Sequence, residues 1–139
     1  MKQADCILTF CGFRVVNANF AINKKFDTVT EGFELEPSFY QSINHIADNR
    51  YSLTLSVMIN SEKEGKVMPF DANVEIEGVF EIHGGDNPEA LLRINATSIL
   101  FPYLRAALSS LTLMANVSPV ILPAFNITKL FEEKANSEI

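Results

Sequence analysis

The side chains able to do acid–base, nucleophilic or metal chemistry are few in this sequence, and their spacing suits none of the three. His45 and His83 each lack a partner at the spacing of a metal-ligand pair. Glu75, Glu77 and Glu81 fall two and four residues apart on one face of a strand and are the densest set of potential ligands. Such a row could hold a divalent cation or a basic peptide, but rows of this kind are ordinarily a solvated face, which is the reading adopted. Cys6 and Cys11, five residues apart on one predicted strand, point to opposite faces. At the usual rise they lie about 16 Å apart and cannot bond to each other. Gly84-Gly85 lacks the following Lys-Ser/Thr of a phosphate loop and reads as a turn, and there is no C-x-x-C and no nucleophile elbow. The expected chemistry is therefore that of a surface, not of a reacting centre. No catalytic residue, metal or cofactor is expected.

Composition bounds what that surface can meet. The 139 residues are 47% hydrophobic and 20% charged, a globular balance, and a chain of this length reads as a single domain over 1–139. A domain of that size buries about 70% of its unfolded surface without needing disulfides or metals. The net charge of −6 disfavours nucleic acid and anionic membranes and leaves room for basic partners. No run approaches the ~20 apolar residues of a membrane span. Unpaired thiols and the absence of an apolar leader lead us to expect a cytoplasmic location.

The elements that carry this surface follow from periodicity. Cys6–Val16 reads as a first strand, with Ile7, Thr9, Cys11, Phe13 and Val15 on one face and Leu8, Phe10, Gly12, Arg14 and Val16 on the other. Both faces are largely apolar, which suits an interface between subunits. Asn17–Lys25 reads as a polar connection, Phe26–Pro37 as a second strand ending at its proline, and Ser38–Arg50 as loop or a short irregular extension. Tyr51–Asn60 alternates with a period of two, Ser61–Gly65 is a hairpin turn, and the next strand runs to His83 with Phe70, Ala72, Val74, Ile76, Gly78, Phe80 and Ile82 inward. Pro88-Glu89 suits the first turn of a short helix reaching about Arg93.

A long helix then spans Ile99–Met114, with Leu100, Leu104, Leu108 and Leu111 recurring on one face. Pro102 is tolerated in a first turn, so the helix is expected to start or kink near Ser98, capped by Thr97 or Ser98. Ile99, Phe101, Ala106 and Leu113 lie off the main stripe, and Arg105, Ser109 and Thr112 make only a thin polar strip. A helix so apolar should pack on two sides, its own sheet on one and a second subunit on the other. After it, Val120-Ile121-Leu122-Pro123-Ala124-Phe125 is an apolar connection between prolines, followed by a short helix with Leu130-Phe131, capped by Thr128, and a polar tail from about 132. The fold class expected is α+β: a four-stranded antiparallel sheet covered on one face by a long and a short C-terminal helix.

Ile99-Leu100-Phe101-Pro102-Tyr103-Leu104-Arg105 resembles the I-L-F-P-Y-A-R-E signature of the SecB family of protein-export chaperones. Asn126 with Leu130-Phe131 resembles that family's N-F-D-A-L-F segment, and Glu77–Ile82 its G-G-I-F-S-I strand end. The resemblance implies an ATP-independent holdase, a dimer of dimers that keeps non-native polypeptides in apolar grooves, with protein export as the family's service. It implies a client groove of Val120, Ile121, Leu122, Phe125, Leu130 and Phe131, with Leu108 and Leu111 from the long helix. The apolar surplus of the first strand and the long helix, read from the residues themselves, puts the oligomer interface at Phe10, Phe13, Phe101, Tyr103 and Leu113. The family docks the SecA motor through acids on the outer sheet surface. The positions here matched to them are Phe10, Arg14 and Asn73, none acidic, so SecA is expected to bind weakly or not at all. Three alternatives stand beside this reading: a SecB-like chaperone dedicated to one partner, such as the antitoxin of a toxin–antitoxin system, a structural oligomeric protein without holdase activity, and an enzyme whose site gives no local sign in the sequence.

Overall fold

Alternating apolar residues along two neighbouring strands decide the architecture, because each strand can bury only one face. The computed structural model describes residues 7–26, 37–63 and 65–115. In chain order the strands are β1 (Ile7–Ile22), β2 (Ser38–Ala47), β3 (Arg50–Ile59), a small ribbon of β4 (Glu62–Lys63) with β5 (Lys66–Val67), and β6 (Phe70–His83). β1, β6, β3 and β2 form one antiparallel sheet in that order. Leu53, Leu55, Val57 and Ile59 of β3, and Phe70 through Ile82 at every second position of β6, are buried as their period requires. The fold is α+β, an antiparallel sheet covered on one face by a C-terminal helix. Of the strand expected over Phe26–Pro37, the two end residues are not in a strand and 27–36 lie outside the described residues, as does the short helix near Leu130.

Three boundaries differ from the sequence reading. Ser38–Arg50 is not irregular: β2 pairs along its length with β3, and Ala47 opposite Arg50 leaves a two-residue turn at Asp48-Asn49. Asp48 sits at φ 25°, a conformation that Asp tolerates better than most residues. Asn17–Ile22 is not a connection but the second half of β1, with Ala18, Phe20 and Ile22 opposite the inward positions Val74, Ala72 and Phe70. β1 also changes phase. Bulges between Phe10 and Phe13 and between Val15 and Asn17 place Phe10 opposite Phe80 and Phe13 opposite Gly78, both on the helix side, where strict alternation had put them on opposite faces. Gly12, at φ +112° in open space, supplies the backbone freedom for the first bulge.

The helix begins earlier than its proline suggested. Asn87 caps it by accepting the Ala90 N–H at 3.1 Å, and Pro88 opens α1 (Pro88–Leu91). A π turn over Leu92–Ala96 leads into α2 (Thr97–Met114) with helical backbone angles at Ala96 and Thr97, so neither Thr97 nor Ser98 is a cap. Pro102 sits inside this helix. The Ser98 carbonyl that loses its usual amide donor belongs to an exposed residue, where water can replace it. Leu92, Ala96, Leu100, Leu104 and Leu108 are fully buried against the sheet. Thr112, expected on a polar strip, is buried too, its hydroxyl donating to the Leu108 and Ser109 carbonyls at 3.0 Å.

Candidate functional site

The corner where β1 meets α2 gathers the aromatic residues singled out for assembly. Phe10 stacks on the buried Phe80 with ring centroids 5.2 Å apart. Tyr103 lies 5.8 Å from Phe10 and 4.5 Å from Phe13. Phe13 and Tyr103 each keep 41% of their surface exposed. They share this face only because the bulge brings Phe13 round to the helix side. Val15 and Ile22 continue the apolar surface along β1, both about half exposed. On α2, Pro102, Tyr103, Ala106, Ser110, Leu113 and Met114 are exposed, a stripe without a charged group. Leu113 is 64% exposed and stands about 15 Å along the helix from Tyr103.

Other expected residues are placed differently. Phe101 faces Phe39 of β2, ring centroids 6.0 Å apart, and at 6% exposure has almost no area to offer a second subunit. It seals the core on the side away from β1. Leu108, assigned to the client groove, is fully buried because it continues the four-residue steps of the core, while Leu111 is half-buried at the core margin. Val120, Ile121, Leu122, Phe125, Leu130 and Phe131 lie outside the described residues.

Charged groups on the outer face of the sheet are paired across strands, with Ile7 and Tyr40 exposed at its edges. Arg14 reaches the Glu77 carboxylate from two guanidinium nitrogens, at 3.0 and 3.1 Å, and Arg50 meets Glu81 at 3.2 Å, with His83 at 3.8 Å from the same carboxylate. Cross-strand arginines thus occupy two of the three acids in the Glu75, Glu77 and Glu81 row, and among the described residues no group of three potential ligands is placed to hold a metal. Ion pairs this exposed each contribute about 0–1 kcal/mol. Asn73 lies on this face, in a shallow cavity of about 330 Å³ with Asn19, Met58, Asn60 and Asp71. Asp71 is already engaged, accepting the Ser61 N–H at 2.7 Å and its hydroxyl at 2.8 Å. Phe10 is not on this face at all, since its ring packs on Phe80 beneath the helix. Cys11 is an exposed free thiol.

Two residues that periodicity passed over join the sheet to the helix. The Gln41 amide donates to the Arg93 carbonyl at 3.0 Å and to the Thr97 hydroxyl at 2.5 Å. A polar residue at an inward strand position, between Phe39 and Ile43, was the available signal.

Comparison with known proteins agrees with this architecture. The family model described as preprotein translocase subunit SecB matches residues 19–138. An uncharacterized protein of Methanocaldococcus jannaschii is 28% identical over 127 residues, 88% of this chain and 81% of that one. The protein-export protein SecB of Saccharophagus degradans is 32% identical over 91 residues, 64% of this chain, and the match spans 54% of that protein. Among solved structures, the Mycobacterium tuberculosis SecB-like chaperone in complex with a ChAD peptide from the HigA1 antitoxin superposes with a TM-score of 0.68. Its identity is 16%, over 85% of this chain and 90% of that one. No helix among the described residues is long and apolar enough to cross a membrane. With a family model covering most of its length and the sheet-and-helix layout of a SecB-like chaperone, the chain is a member of the SecB family.

Proposed function

We propose that this protein is an ATP-independent chaperone that holds non-native polypeptides, in the service of protein export, as an oligomer assembled through the β1–α2 corner. The observation that carries this is the uncharged α2 stripe beside the Phe13–Tyr103 pair, exposed apolar area set on a rigid sheet. Large exposed apolar patches mark protein-binding surfaces, and non-directional contact suits unrelated clients. Phe13, Tyr103 and Leu113 form the assembly surface, with Phe10 as the half-buried base on which that corner rests. Clients are held by Val120, Ile121, Leu122 and Phe125 with Leu130 and Phe131, an apolar run between prolines whose backbone favours extended conformations, and by the exposed part of Leu111. A protein of the same fold that is solved with a peptide from another protein supports polypeptide as the ligand class.

The test is aggregation of a chemically unfolded protein diluted into buffer without nucleotide, followed by light scattering. Stoichiometric amounts of this chain should suppress the signal, and ATP should change nothing. Undiminished aggregation at several-fold excess of a correctly folded chain would refute the holdase reading.

A further inference from the structure

An α-helix running from Leu92 to Leu108 could not bury all the residues that this one buries. Leu92, Ala96, Leu100, Leu104 and Leu108 recur in steps of four, and at about 100° per residue each step drifts about 40°, or about 160° from first to last. That is wider than an apolar stripe of about 100°. The π turn over Leu92–Ala96 accommodates one additional residue and takes back about 100°, leaving a drift of about 60° that fits on one face.

The turn leaves a mark in the hydrogen bonds. The Thr97 N–H would meet the Arg93 carbonyl in an α-helix, but it bonds instead to the Leu92 and Ile94 carbonyls. The Arg93 carbonyl thereby loses its amide donor, and Gln41 of β2 supplies one at 3.0 Å. The same nitrogen reaches the Thr97 hydroxyl, which is fully buried and donates onward to the Leu92 carbonyl at 3.5 Å. A carbonyl can only accept, so the amide nitrogen of Gln41, and not its oxygen, must face Arg93. Apolar substitution of Gln41 would leave two polar groups at this half-buried junction short of a donor.

We propose that Gln41 is a positioning residue that locks the rotational phase of the helix. By standing in for the displaced Thr97 amide it stabilises the π turn, so that Leu92 and Ala96 bury together with Leu100, Leu104 and Leu108 and α2 presents Tyr103 to Phe13. The use made of the presented stripe rests on the holdase and assembly reading above. The lock itself is read without any client or partner.

The experiment is NMR on the full chain. A through-hydrogen-bond coupling from the Gln41 side-chain nitrogen to the Arg93 carbonyl carbon should be present. In Gln41→Leu, amide exchange over 92–98 should accelerate about fivefold, the factor for one net hydrogen bond, while the central strands β3 and β6 stay protected. The Phe13–Tyr103 ring cross-peak should weaken with it. Thr97→Ser, which keeps the hydroxyl, should retain the wild-type pattern, whereas Gln41→Glu, which keeps the shape and loses the amide donor, should reproduce the loss and serves in place of Gln41→Leu if that variant does not fold. Exchange over 92–98 within about twofold of wild type, or an acceleration spread evenly over the sheet, would overturn the lock.

Discussion

Replacing Gly78 by alanine probes the closest approach of helix and sheet. A Cβ built at Gly78 would lie 2.9 Å from Leu100 Cδ1, 3.0 Å from Phe80 Cε2 and 3.3 Å from Leu100 Cδ2. Carbon atoms in contact prefer about 3.5–4.0 Å, so about half an ångström or more must be found. Leu100 and Phe80 have no exposed surface, and neither can swing into solvent. Overpacking of this kind costs about 1–3 kcal/mol, partly offset by about 0.4–1 kcal/mol from the stiffer unfolded chain. The net expectation is a loss of about 1–2 kcal/mol, a fall in Tm of about 3–10 °C for a chain of this length. Calorimetry on Gly78→Ala measures it. The cause is then separated by Leu100→Ala, which removes the two obstructing methyl groups. In the double variant the losses should sum to at least about 1 kcal/mol less than the two alone, because the new methyl fills space that leucine vacated. A Tm that stays level or rises in Gly78→Ala, or strict additivity in the cycle, would refute this account of the packing.

The other expectations concern the surfaces. Phe13→Ser with Tyr103→Ser should lower the solution mass from that of a tetramer, measured by light scattering, and a wild-type chain that is a stable monomer at micromolar concentration would remove the assembly proposal. Ile121→Ala with Phe125→Ala should weaken holding of an unfolded client while Tm and mass stay close to wild type. A fall in Tm of several degrees would instead assign these side chains to the core. Binding to SecA by calorimetry should be weaker than about micromolar, or about −8 kcal/mol, since the outer face offers Arg14 bound to Glu77 and the neutral Asn73.

What the sequence disclosed follows from which interactions are periodic. β3 and β6 are central strands with one wet face, so their alternation survives intact in the residue order, and the inward set from Phe70 to Ile82 is the buried set. β2 was hidden because Gln41 and His45 occupy inward positions, Gln41 bonded to the helix and His45 stacked on Tyr51 at 4.6 Å. The bulges of β1 are decisions about pairing with β6, and no local composition beyond Gly12 announces them. Residue order therefore marks Phe10 and Phe13 singly and does not show their common face. The helix start was misplaced for a similar reason: Pro102 reads as a first turn, and the π turn replaces the period of 3.6 by steps of four just where the earlier turns would have been recognised. Phe101 reads as a surface residue because helical periodicity ranks residues by face and cannot say how deep the Phe39 side of the core reaches, whereas periodicity puts Leu108 on the buried stripe and only the family resemblance moves it to a groove.

The irregularities of β1 also limit what its outer edge, unpaired among the described residues, can recruit. A straight edge strand offers its unpaired N–H and C=O groups to any extended chain, and repeated addition at such an edge is how filaments grow. This strand is long, and several of its exposed residues are apolar, the composition most prone to that fate. Two interruptions, between Phe10 and Phe13 and between Val15 and Asn17, divide its ladder into short segments. An incoming strand must break step at the same places to pair along the full length. A second β1, running antiparallel, carries the same pair of interruptions and has at least one alignment available, whereas an arbitrary segment of unfolded protein is limited to a few residues of continuous pairing. Pairing of β1 with β1 also uses up the edge on both chains and so terminates, in contrast to head-to-tail addition, which does not. Kinks in the backbone would thus discriminate by register, admitting a matching strand at this border and hindering open-ended addition.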